Sequence, residues 1–155
     1  MNDAFEILLK EFAAARGMVA DSSVFGLEFD CEGHTVNVVA HPLHDDQVLV
    51  EVSVATLPVD PPASTLALLL QINEAARFEH DWTLLMDPEL TVSLSTRLAV
   101  AGLSVAALEA LMLDGVTRAQ AVADLLETIG GQDDARVQVD DAEATAPAPS
   151  MNLRA

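Results

Sequence analysis

The best candidates for chemistry lie between positions 31 and 46. Cys31-x-x-His34 and His41-x-x-His44 are two ligand pairs of the kind zinc uses, and Asp45-Asp46 adds carboxylates beside the second pair. The residues between the pairs, Thr35 to Ala40, read as a strand. Seven steps at about 3.3 Å then put His34 and His41 roughly 23 Å apart. One tetrahedral site cannot use both pairs, and each pair alone has too few ligands. These residues are read as solvated loop side chains, and no metal is expected.

Other chemistry has less support. Cys31 stands between Asp30 and Glu32, whose charges disfavour a thiolate. No serine sits in a Gly-x-Ser-x-Gly elbow. Gly130-Gly131 has no lysine to make a phosphate-cradling loop. Carboxylates are abundant, and they are read as a solvated face. No catalytic residue and no cofactor are assigned, and the chain is expected not to be an enzyme.

Composition narrows the class further. At 155 residues the chain is long enough for one domain with a real core. It is 51% hydrophobic but only 4% aromatic, so the core must be built from Leu, Val and Ala. The net charge of −18 opposes binding to nucleic acid or to anionic lipid. It suits a soluble protein that carries exposed apolar surface, a protein with a basic partner, or simply an acidic cytoplasmic protein. Cys31 is the only cysteine, which fits a reducing compartment. Met1-Asn2-Asp3 is acidic with no signal pattern, and no apolar run is long enough to span a membrane.

The elements follow from hydrophobic period. Phe5, Leu8, Leu9, Phe12 and Ala13 form one helical stripe over residues 3 to 16, and Gly17 is a stop. Val24 to Asp30 and Thr35 to Ala40 form a hairpin around Glu32-Gly33. Gln47 to Thr56 is a strand with Val48, Val50, Val52 and Val54 on one face. Pro58 to Pro62 is a stiff connector, and a second helix starts near Ser64. Strands follow at Trp82 to Met86 and Leu90 to Arg97. Ser104 caps a last helix carrying Leu108, Leu111, Met112, Val122, Leu125, Leu126 and Ile129. Gly115 is expected to kink or split that helix, with Thr117 capping the second piece. From Gly130 the pattern ends, and residues 131 to 155 read as a disordered acidic, Ala/Pro-rich tail behind a domain of residues 1 to 130.

The order α-β-β-β-α-β-β-α is an α+β fold with an antiparallel sheet. The second helix is unusual. Leu66, Leu68, Leu69, Leu70 and Ile72 give it more than one apolar face, where a surface helix has one stripe. One face covers the sheet, and a second subunit is the simplest cover for the other. A homodimer is expected, with Leu66, Leu69, Leu70, Asn73 and Trp82 at its interface. Trp82 is read as a core or dimer-interface aromatic, with a partner-facing anchor as the alternative.

Three segments carry a resemblance: Leu70-Gln71-Ile72-Asn73-Glu74-Ala75-Ala76, Leu84-Leu85-Met86-Asp87-Pro88-Glu89 and Val92-Ser93-Leu94-Ser95-Thr96-Arg97-Leu98. Together with the size, acidity and element order over about residues 1 to 130, they resemble the class I type III secretion chaperones of the Tir-chaperone (CesT-like) family. The resemblance implies a twisted antiparallel sheet flanked by helices, in a homodimer of the bacterial cytoplasm. It implies a partner too: the N-terminal chaperone-binding segment of a secreted effector, held extended and export-competent, with the export ATPase of the secretion system as a further partner. Phe5, Leu8 and Phe12 on the first helix and Val92 and Leu94 on the last strand are the expected effector-binding positions, with core burial as the alternative for each. A non-secretory adaptor or regulatory dimer of the same fold remains the second reading, and a small enzyme or metal protein the third.

Overall fold

The computed structural model describes residues 3–17, 26–79 and 82–144, and the side chains of all of these except 77–79 and 131–144. Its elements are α1 (Asp3–Ala15), β1 (Gly26–Cys31), β2 (His34–Ala40), β3 (Gln47–Thr56), α2 (Ala63–Glu79), β4 (Thr83–Met86), β5 (Thr91–Ala99) and α3 (Val105–Ala144). Local chemistry sets the joints. Gly17 takes φ +67° after α1, and Glu32 and Gly33, at φ 54° and 84°, make the β1–β2 turn. The Asp87 carboxylate accepts the N–H groups of Glu89 (2.9 Å) and Thr91 (2.8 Å), folding the β4–β5 connection as an Asx turn. The Ser104 hydroxyl accepts the Ala107 N–H at 3.2 Å, the N-cap of α3.

The five strands form one antiparallel sheet in the order β1-β2-β3-β5-β4. The expected α+β architecture is the one found. Strand alternation puts Val36 and Val38, then Val48, Val50 and Val52, then Val92 and Leu94 on one buried face. α1 and α3 cover it: Phe5, Leu8, Leu9 and Phe12 from α1 and Leu108, Met112, Val116, Ala119 and Val122 from α3 join the same core. Phe12 meets Phe29 of β1 with ring centroids 5.8 Å apart, and the Arg16 guanidinium lies 4.7 Å from the Phe12 centroid while pairing with Glu109 of α3 at 3.4 Å. The opposite face is mixed, with Val39, Leu49 and Leu85 among its polar residues. One cross-strand row runs Glu28, Asn37, Glu51, Ser95, Thr83 over its full width.

Two expectations for the last helix need correction. Gly115 does not split α3, and Thr117 is not a cap; its hydroxyl donates to the Leu113 carbonyl at 2.9 Å inside a continuous helix. Gly115 is there for packing. A Cβ on it would lie 2.6 Å from Trp82 Cη2 and 3.0 Å from Val52 Cγ2. The helical backbone also runs past Gly130 to Ala144, while the buried positions described on α3 end at Leu126. The rest of the expected tail, residues 145–155, lies outside the described residues.

Candidate partner-binding surfaces

The five positions expected to touch an effector are core residues. Phe5, Leu8, Phe12, Val92 and Leu94 are all buried, Phe12 to 0% exposure. The reason is the helical stripe itself: an amphipathic period marks the face that is buried, and in α1 that face lies on the sheet. Val92 and Leu94 point the same way on β5.

Four of the five expected interface residues come together at the surface. Leu66, Leu69, Leu70 and Asn73 of α2 line a groove of about 320 Å³, closed on the other side by Leu84, Leu85 and Met86 of β4 together with Val92 of β5. Its lining is apolar and much of it faces solvent: Leu70 is 72% exposed, Leu85 45% and Met86 48%. Leu85 and Met86 were not singled out from sequence. Their signal was the unbroken run Leu84-Leu85-Met86, which puts apolar side chains on both faces of a short strand. Trp82 is not part of this groove. It is 3% exposed, its ring rests on Gly115, and its indole N–H donates to Asp114 at 3.0 Å. It is a core aromatic, the first of the two roles open for it.

The sheet has two edges, and they differ. At β4 the Asn73 side chain bonds to the strand: Leu84 N–H donates to Asn73 Oδ1 at 3.0 Å, and Asn73 Nδ2 donates to the Leu84 carbonyl at 3.3 Å. Among the described residues no strand lies beyond β1 on its outer side. Leu27, Phe29 and Cys31 of β1 lean on the core, and Glu28 and Asp30 are exposed on the other face. An extended peptide could add there, with main-chain hydrogen bonds for affinity and alternate side chains for specificity.

The sequence-level metal pairs lie apart. His34 is buried, its Nδ1 2.7 Å from the Ser53 carbonyl and its Nε2 3.2 Å from Gln120 Oε1, so it ties the β2–β3 ladder to α3. His41 and His44 lie with ring centroids 4.7 Å apart and planes tilted by 44°. Among the described residues no three His, Cys, Asp or Glu side chains are grouped to hold a metal ion, and no helix is long and apolar enough to cross a membrane.

An antiparallel sheet of this order, with two helices on one face and a third along its short edge strand, is the fold of the type III secretion chaperones. A chain of the ExsC–ExsE complex matches at TM-score 0.65 and 24% identity, over 81% of this chain and 97% of that one. A chain of the HopA1–SchA chaperone–effector complex matches at 0.63 and 13%, over 78% and 94%. One from the structure of the Yersinia pestis type III secretion chaperone SycH with a fragment of YscM2 matches at 0.57 and 16%, over 76% and 98%. YbjN from E. coli has the same fold, at 0.53 and 15%, over 80% and 90%. No protein-family model and no curated protein matches the chain.

Proposed function

We propose that this protein is a non-enzymatic class I type III secretion chaperone. The observation that carries the proposal is the fold match to a chain of a chaperone–effector complex and to one from a type III secretion chaperone structure, over nearly the whole of those chains. The surfaces suit the task. A second copy docks in the α2–β4 groove, through Leu66, Leu69 and Leu70, and makes a homodimer. An extended segment of a secreted effector adds to the open β1 edge. Holding a client as a strand keeps it unfolded while satisfying its backbone, which a globular docking site cannot do. The charge of −18 keeps a complex with exposed apolar surface soluble and favours a basic client. The complex is then delivered to the export ATPase in the bacterial cytoplasm.

The test is a pull-down from the native cytoplasm, followed by titration of a labelled N-terminal peptide of whatever secreted protein is recovered. Saturable binding by a dimer is the expected result. Recovery of no secreted protein overturns the proposal. The fold match to YbjN favours a second reading, a regulatory or adaptor dimer without a secretion role. Capture of a folded cytoplasmic partner, with no affinity for unfolded N-terminal segments, would select it.

A further inference from the structure

We infer that Asn73 is an edge guard: it occupies the strand-pairing position of β4 and so restricts strand addition to β1. The two bonds it makes with Leu84, 3.0 Å to the N–H and 3.3 Å from the amide to the carbonyl, are the pair of bonds that a residue on a neighbouring strand would make. A carboxamide presents an N–H donor and a carbonyl acceptor side by side in one plane, much as the N–H and C=O of a single strand residue face the strand beside it. Asn73 stands half-buried on α2, so the surrogate peptide is fixed in place by a helix.

The sequence of β4 shows why a guard belongs there. Thr83-Leu84-Leu85-Met86 has no charge, and two of its apolar side chains are open to solvent. A short, uncharged, apolar edge is the kind that pairs with other chains. The β1 edge carries Glu28 and Asp30 instead, and no side chain is bonded into it in the manner of Asn73 among the described residues. One edge is therefore plugged in its middle and the other left selective by charge. A second copy seated in the α2–β4 groove then contacts this protein through side chains without extending the sheet. The inference stands on this geometry and holds whether or not the protein serves a secretion system.

The experiment uses the full chain. Asn73→Ala removes both bonds, and Asn73→Asp keeps the acceptor for the Leu84 N–H. Circular dichroism checks that each variant is folded. Amide hydrogen exchange read by NMR is expected to quicken at least tenfold at Leu84 in Asn73→Ala, and much less at Thr83 and Leu85, whose N–H groups turn toward β5 by the alternation of the ladder. Asn73→Asp retains most of the protection. The probe for strand addition is a synthetic peptide with the β5 sequence Thr91–Ala99, since β5 already pairs with β4 on its inner side. It is expected to shift the Leu84 and Met86 amide resonances of Asn73→Ala and leave those of the wild type in place. Unchanged Leu84 exchange in Asn73→Ala, or equal peptide-induced shifts in variant and wild type, overturns the inference. Where Asn73→Ala fails to fold, the wild type decides alone: Leu84 exchanging as fast as an open-edge amide overturns it, and Leu84 protected as in an inner strand supports it.

Discussion

A single hydrogen atom on Gly115 settles how α3 meets the sheet. The Trp82 ring fills the space where any larger side chain would begin, and its N–H bond to Asp114 fixes the ring in place. Gly115→Ala is expected to destabilise the protein by about 1–3 kcal/mol through overpacking, although alanine is the better helix former. Urea denaturation measures this, and a gain in stability would refute the packing role. Thr96 is the opposite case. It stands opposite Val50 in the sheet, and its buried hydroxyl has no hydrogen-bond partner among the described residues. Thr96→Val keeps the shape and removes the stranded polar atom, so stability should rise by about 1 kcal/mol in the same assay. Neither role was legible in the sequence. Gly115 reads as a helix breaker because propensity is local, whereas its contact with Trp82 spans two elements. Thr96 reads as one more alternating strand residue until the buried face is known.

Among the elements, α1 and α2 show what a hydrophobic pattern can and cannot say. Both helices, the hairpin and the valine strand β3 follow from period alone. What the period does not distinguish is a face buried by its own chain from a face kept for a partner, because both are apolar. On α1 the single stripe was all core. On α2 Leu68 and Leu69 pack partly against the core while Leu66 and Leu70 face outward, and Leu70 is largely exposed. The sheet order was not legible from period either, since β3 pairs with β5 across the whole of α2 and β4. Two substitutions separate the roles. Leu70→Asp should leave the melting temperature nearly unchanged and weaken the proposed homodimer by a hundredfold or more, equivalent to about 2.7 kcal/mol or above. Light scattering against concentration reads it, and a variant that stays fully dimeric places the interface elsewhere. Phe12→Ala should do the reverse, lowering stability by about 3–5 kcal/mol through a core cavity. Its effect on partner binding should vanish under conditions where it is fully folded.

For the molecule as a whole, charge and length make separate predictions. Two copies that each carry −18 repel one another as they approach. Raising ionic strength from about 0.01 M to about 1 M shortens the Debye length from ~30 Å to ~3 Å, so the proposed dimer should tighten with salt. Sedimentation at the two extremes checks the sign. The buried positions described on α3 end at Leu126, and the proposed domain ends near Gly130. Deleting residues 132–155 should therefore move the melting temperature by less than ~4 °C, about 1 kcal/mol or under for a domain of this size. A larger loss would make the C-terminal segment part of the folded body. The strand order has a further consequence during synthesis. Translation delivers β1, β2 and β3 as a meander, and β3 ends at Thr56 while its second neighbour begins only at Thr91. Until the ribosome has made α2, β4 and β5, the central strand of the finished sheet is open along one side, with Val48, Val50, Val52 and Val54 uncovered by α3. The nascent protein thus passes through the same exposed state that we propose it manages for its clients.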